Sequence, residues 1–493
     1  MREVAGFILL ALVPALCGFA TLRALGLARA GPWGFLLAFG PSMLTGTAVV
    51  VLALVVLLVL AIPFTLVTAI VVAVTAGLIA FGLGVARRRG ADAAQEAVRR
   101  RQPLAWMGAT VTAAYVLYGA LALGGLSTVQ DDARIWSFKG VTLTYYDSLR
   151  PEVFLNPATM RAHHLYPLFQ PILEALMNRA MGRLELRFFH AELWLLLIAT
   201  AWTAAHLLWW RWRRPALEQA GVVALVALIT IPAVLTAIGT GYADITGSML
   251  VGVGALAVGL WLDGAERGNL WLGVLLLAAG ASTKDEDLVA AGLVLVALAV
   301  ALLVGRAGTL RRLDLGRMRP WLMAAVLFGV LIAPWRLWAA AHGVSDSVAP
   351  PLPHALSPVF LLDRWPQFKA TAQAMAGLVL GNWGWLSSVF LALCTLAFIS
   401  ASARRLAGFY LLSFTLLVAS LLWLYATTPV SLGFLIPTSA SRTIDVFMML
   451  TPFASAHLIS RLLSGARAPG VGLHRAGDDL GVQKLPTGAP PPR

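Results

Sequence analysis

The sequence predicts an all-α polytopic membrane protein, and two observations carry that reading. Of 493 residues, 59% are apolar and 12% charged, with a mean hydropathy of +0.81; a soluble domain carries about 25% charged residues. Charge-free runs such as Thr47 to Ala61, Gly221 to Ile238 and Ala290 to Val304 recur along the chain. Each approaches the roughly 20 residues that cross about 30 Å of hydrocarbon as a helix. Backbone groups in lipid must be satisfied within their own segment, which makes these runs helices. The short alternating segments of a β-barrel do not occur.

In chain order, the spans expected are 5–22, 40–61, 65–86, 104–125, 189–210, 217–238, 245–262, 269–282, 288–305, 320–340, 376–402, 407–427 and 444–463, or about 13 crossings. The opening Met1-Arg2-Glu3 and its apolar sequel imitate a signal peptide, but further spans follow almost at once, so it reads as a retained helix. The Gly-Pro pairs of 31–42 leave room for a half-helix. Three parts result: N-terminal helices with a basic cytoplasmic loop (1–103), a transmembrane module (104–463), and a Gly/Pro-rich, disordered cytoplasmic tail (464–493). The segment 126–188 is the first large loop on the opposite side; its Trp, Tyr, Phe and Leu content predicts amphipathic helices along the membrane face.

The formal charge of +14 would suggest a nucleic-acid partner in a soluble chain. Here the basic residues sit between spans: Arg87–Arg89 with Arg99–Arg101, then Arg211, Arg213 and Arg214, then Arg306 to Arg319, then Arg404 and Arg405. With the first cluster cytoplasmic, alternation puts every later short-loop cluster there too, so these are topology signals and nucleic acid is not expected. Cys17 and Cys394 both lie in apolar runs and predict neither a disulfide framework nor a metal site.

The scarce polar residues then fall on the extracytoplasmic side. They are Asp131 and Asp132 with Trp136 and Lys139, then His163, His164, Tyr166 and Pro167, then Tyr242 and Asp244, the turn Lys284 to Asp287, and Arg442. Each has a bland reading, as an interface marker or a solvated turn. Convergence on one face favours one site, because ionisable groups at membrane depth are costly. A carboxylate can act as general base toward an acceptor hydroxyl. Lys139, Lys284 and Arg442 can meet the charge of a departing phosphate. Group transfer from a lipid-phosphate donor fits both.

These residues resemble the bacterial GT-C glycosyltransferases that use polyprenyl-phosphate sugars, of the aminoarabinose-transferase and protein-mannosyltransferase type. The matching pieces are Asp131-x4-Trp136-x2-Lys139, His163-x2-Tyr166-Pro167, Gly241-Tyr242-Ala243-Asp244, Thr283-Lys284-x-Glu286, and Ser439-x2-Arg442 with Pro452, in the family's order over about two thirds of the chain. The resemblance implies a bacterial plasma-membrane enzyme with an extracytoplasmic site. It makes Asp131 the base, inverts the anomeric carbon, and places Lys139, His163, Lys284 and Arg442 at the lipid phosphate or sugar. His164, Tyr166, Trp136, Tyr242, Asp244 and Glu286 complete the expected binding set. The acceptor would be a glycan, lipid or protein of the cell envelope. The chain departs from the pattern at Asp132, which doubles the carboxylate so that either Asp could be the base or the pair could hold Mg or Mn. It departs again at Asp287, where Gly is expected. The spans before residue 104 lie outside the resemblance. A flippase or transporter, and an O-antigen-type ligase or polymerase, are the alternatives; the first should show midplane charges in two matching halves, the second clustered arginines for a diphosphate.

Overall fold

The computed structural model describes residues 2–88, 133–154, 156, 163–184, 186–212, 242–304, 315–344, 357–428 and 430–465. All regular structure among them is helical. We label α1 (Arg2–Leu25), α2 (Pro32–Leu37), α3 (Phe39–Val59), α4 (Leu66–Arg88), α5 (Phe138–Tyr146), α6 (Phe169–Met181), α7 (Leu186–Trp212), α8 (Ala243–Leu262), α9 (Arg267–Ala281), α10 (Asp285–Val304), α11 (Leu315–Ala341), α12 (Trp365–Ile399), α13 (Arg404–Thr427), α14 (Ser441–Met448) and α15 (Leu450–Gly465). Nine helices among the described residues are long and apolar enough to cross a membrane, and the shorter apolar α9 and Glu192–Leu208 within α7 accompany them. The chain is a multi-pass membrane protein. The spans expected at 104–125 and 217–238 and the tail beyond 465 lie outside the described residues.

α8 is the centre of the bundle. It packs against α7, α9, α10, α13, α14 and α15, and its membrane-length window is 94% buried. Its sequence allows this because small residues replace bulk wherever a neighbour crosses, which is how helices associate in lipid. Gly254 faces the Gly273 carbonyl of α9, where an added Cβ would stand 3.1 Å away. The N-terminal helices, which the sequence left without a role, belong to the same bundle: α3 packs on α7, α9 and α11, and α1 on α6 and α9.

Several boundaries differ from expectation for identifiable reasons. α12 begins at Trp365 rather than 376, since Pro366 suits a first helical turn and the following Lys-Ala-Thr-Ala-Gln-Ala run is polar yet helix-compatible. The span expected at 444–463 is broken between Met448 and Leu450. Pro452 cannot donate to the Met448 carbonyl, and the Thr451 hydroxyl donates to it instead at 2.7 Å. α2 realises the half-helix in 31–42. In the long loop, α6 does not lie along a surface: twelve of its thirteen residues are buried, including the polar row Gln170, Glu174 and Asn178. Its apolar content packs on neighbouring helices, α1, α3, α5 and α7.

The bundle has two distinct ends. At one, Arg405 donates to the Leu262 carbonyl, Arg461 meets Asp263 at 3.2 Å, and His206 sits 2.9 Å from the Leu27 carbonyl. The C-terminal halves of α1 and α4 also meet there, through Ala24 and Gly84. These are the helix ends that run into the Arg-rich connections. At the other end, the Phe169 amide donates to the Ser282 carbonyl at 2.9 Å and the Phe64 amide to the Asp147 carbonyl at 2.6 Å.

The α1–α3 crossing makes a direct test. A Cβ on Gly46 would stand 1.7 Å from the Pro14 carbonyl oxygen and one on Gly18 1.8 Å from that of Ser42. Gly46→Leu is expected to destabilise the chain by at least about 1–3 kcal/mol, read as a lower thermal midpoint in detergent; an unchanged midpoint would mean the two helices do not touch.

Candidate functional site

The site is built on the turn joining α9 to α10. α9 stops at Ala281, and the Thr283 hydroxyl lies 2.6 Å from the Gly280 carbonyl and 2.8 Å from Asp287 Oδ2. That leaves Lys284 at the tip, followed by Asp285, Glu286 and Asp287 in the first turn of α10, where the helix dipole favours carboxylates. Asp287 fits only because residue 247 of α8 is glycine; a Cβ there would stand 1.8 Å from Asp287 Oδ2.

Lys284 ties three elements together. Its Nζ is 2.7 Å from Asp244 Oδ1, in the first turn of α8, and 3.2 Å from Glu286 Oε1. Lys284 is 4% and Asp244 0% exposed. Burial alone would lower the lysine's pKa; Asp244 and Glu286 outweigh it and hold the ammonium well above its ordinary 10.5.

An aromatic wall stands against this pair. The buried Tyr166 hydroxyl donates to Glu286 Oε1 at 3.2 Å, and its ring centre lies 5.7 Å from Lys284 Nζ. Burial, reinforced by Glu286, pushes the phenol well above its usual pKa, so it remains a donor. His163 and Trp136 each stack on Tyr166, with ring centres 4.3 and 6.1 Å away, and Trp136 meets Tyr242 edge-on at 6.1 Å. The Arg442 guanidinium sits 3.8 Å over the Tyr242 ring and donates to the Thr438 carbonyl at 2.8 Å. Trp136 lies on a π-helical turn, Ala133–Ser137, and Arg442 follows another, Ile436–Ala440; such turns recur at functional sites. Tyr425 steadies the second turn through Ser439 at 2.7 Å and Thr443 at 2.9 Å.

The structure therefore brings together Trp136, His163, Tyr166, Tyr242, Asp244, Lys284, Glu286 and Arg442. Asp131 and Asp132, the expected base and its neighbour, lie outside the described residues. Lys139 is bonded to the loop that carries His163 and Tyr166. It is 0% exposed, and its Nζ donates to the carbonyls of His163 (3.0 Å), His164 (3.2 Å) and Tyr166 (2.7 Å). These three contacts hold the ammonium against the backbone of the 163–166 loop. His164 contributes that carbonyl, its side chain half-buried.

Sequence reasoning missed four groups here. Asp445, one turn beyond Arg442 and 3% exposed, accepts the Trp383 indole N–H at 3.1 Å; the i, i+3 spacing from Arg442 was the available signal. Asp287 was read as part of the charged turn and as a departure from the family pattern, without a partner of its own. Arg336 pairs with Asp285 and Trp335 donates to the Leu165 carbonyl at 2.8 Å; both are hidden in the apolar α11. Among the described residues, Trp136 Nε1, Asp244 Oδ2, Glu286 Oε2 and Asp287 Oδ1 are buried with no hydrogen-bond partner. One indole donor and three carboxylate oxygens thus remain in a single cluster, a set suited to a ligand bearing hydroxyl or amino groups. No group of three metal-ligating side chains occurs among the described residues; the Asp131–Asp132 pair is not among them.

Removing one partner of a buried ion pair costs about 3–5 kcal/mol, because the other is left uncompensated. Lys284→Met and Asp244→Asn should each destabilise strongly, and the double variant by clearly less than their sum, measured by thermal unfolding in detergent. Additive losses would mean the pair is not coupled. The lysine's folded-state pKa lies above its unfolded 10.5, so its contribution is fully present below pH 10.5 and is lost only as pH rises through the folded value.

No family model matches the chain, and neither a curated protein nor a solved structure matches it.

Proposed function

We propose that the chain is a membrane glycosyltransferase that moves a sugar from a polyprenyl-phosphate donor to a cell-envelope acceptor. The observation that carries the reading is convergence. Residues from five segments separated by some 300 positions, Trp136, Tyr166, Asp244, Lys284 with Glu286, and Arg442, share one end of the helical bundle. That end is opposite the one that runs into the Arg-rich connections, so the positive-inside rule makes it extracytoplasmic. We place the chain, with about 13 crossings and a GT-C-like architecture, in a bacterial plasma membrane.

In this reading Asp131 takes the proton of the acceptor hydroxyl as that oxygen attacks the anomeric carbon. The carbon inverts and polyprenyl phosphate departs. Asp132 is the alternative base, or the pair holds a divalent cation, Mg or Mn. The phosphate's charge falls to Arg442, which is only partly buried above Tyr242, with Lys284 behind it. His163 and the aromatic wall face the sugar. A carboxylate cluster gathered at the ends of α8 and α10 suits chemistry at the bilayer edge better than transport across it.

The purified chain given a polyprenyl-phosphate sugar and membrane acceptors should release the lipid phosphate. Asp131→Asn should cut turnover by about 10²–10⁴-fold, the usual contribution of a general base. Full turnover by both Asp131→Asn and Asp132→Asn, or movement of the lipid without bond cleavage, would sink the proposal.

A further inference from the structure

We infer that residues 163–166 form a carbonyl crown for a primary ammonium ion, occupied in the native chain by the side chain of Lys139. Three observations meet on it. First, the Lys139 Nζ hydrogen bonds at 3.0, 3.2 and 2.7 Å go to backbone carbonyls of one short loop, those of His163, His164 and Tyr166. Second, the remaining carbonyl of the four, Leu165, accepts the Trp335 indole N–H at 2.8 Å, and the same indole ring lies 6.0 Å from Lys139 Nζ. Every carbonyl in four consecutive residues is thereby held by α5 or α11. Third, His163 is left-handed, with φ 57°, a region few non-glycine residues adopt. A non-glycine residue held there is strained and persists only where its surroundings over-determine it.

A fully buried ammonium is costly unless its donors are met. Three carbonyl dipoles and the Trp335 ring meet this one. The tether runs from the segment that begins at Ala133 to the loop that aims Tyr166 at Glu286 and stacks His163 upon it. Lys139 is therefore a positioning residue. It supplies the cation that shapes the loop, covalently attached, so that the loop's form does not depend on a free ion. The inference rests on geometry alone and is independent of the reaction proposed above.

The experiment uses the full chain in detergent, in sodium buffer at fixed ionic strength. Lys139→Ala should lower the thermal midpoint by several degrees. Propylammonium, which replaces the deleted atoms, should restore it saturably, whereas tetramethylammonium and potassium at equal concentration should not. Lys139→Met, which fills the space without charge, should stay destabilised with or without propylammonium. A midpoint for Lys139→Met equal to that of the native chain would overturn the crown. So would equal restoration by tetramethylammonium or potassium, or no restoration by propylammonium.

Discussion

The rest of the structure is arranged around a charge that has to be kept inside protein at the edge of a membrane. A lone ammonium there would be prohibitively desolvated, yet Lys284 is nearly inaccessible. Asp244 and Glu286 neutralise it from two different helices, which fixes where α8 and α10 begin relative to each other. Everything close to that corner follows. The glycine at 247 makes room for Asp287, the small residues of α8 let α9 approach, and Tyr166 is drawn in by Glu286. Replacing such a pair by apolar residues need not weaken a protein. Its retention alongside buried carboxylate oxygens without partners fits a site kept polar for a ligand.

Much of this was legible in the residues. Composition and span length identify a helical membrane bundle because lipid permits so few backbone solutions. Loop arginines ordered the ends because the alternation of crossings leaves one free choice. Charged residues are scarce enough that Tyr242-Ala243-Asp244, Lys284-Asp285-Glu286 and Arg442 stood out, and they are neighbours in space. What stayed hidden was how each polar group is used. Lys139 and Lys284 look alike in sequence, yet one donates to three loop carbonyls and the other pairs with Asp244 and Glu286. Trp335 and Arg336 sit within an apolar helix and gave no pattern to read. Asp445 was overlooked because a carboxylate one turn inside a span resembles an interface marker.

The N-terminal helices teach the same lesson at a larger scale. Nothing in their composition names a partner, since an apolar helix can face lipid or protein equally well. The distinction lies in burial. α3 is largely enclosed and touches α7, α9 and α11, whereas α4 exposes Val67, Val71, Leu78 and Leu83 to its surroundings. One wedges into the bundle and the other covers it. α1 reaches across to α6, which carries a buried polar row, so these helices help enclose the long loop as well.

The two π-helical turns carry a consequence for how this end of the bundle can vary. Each residue advances a helix by about 100°, so a five-residue turn acts as a phase setting for whatever follows it. Ala133–Ser137 fixes the azimuth of α5, and with it Lys139. Ile436–Ala440 fixes that of α14, where Arg442 points to Tyr242 and Asp445 to Trp383. A one-residue insertion or deletion in either turn would rotate both contacts of its helix together while leaving composition and span length untouched. Sequence drift in related chains should therefore accumulate as substitutions along the lipid-facing helices and avoid changes of length at these two positions.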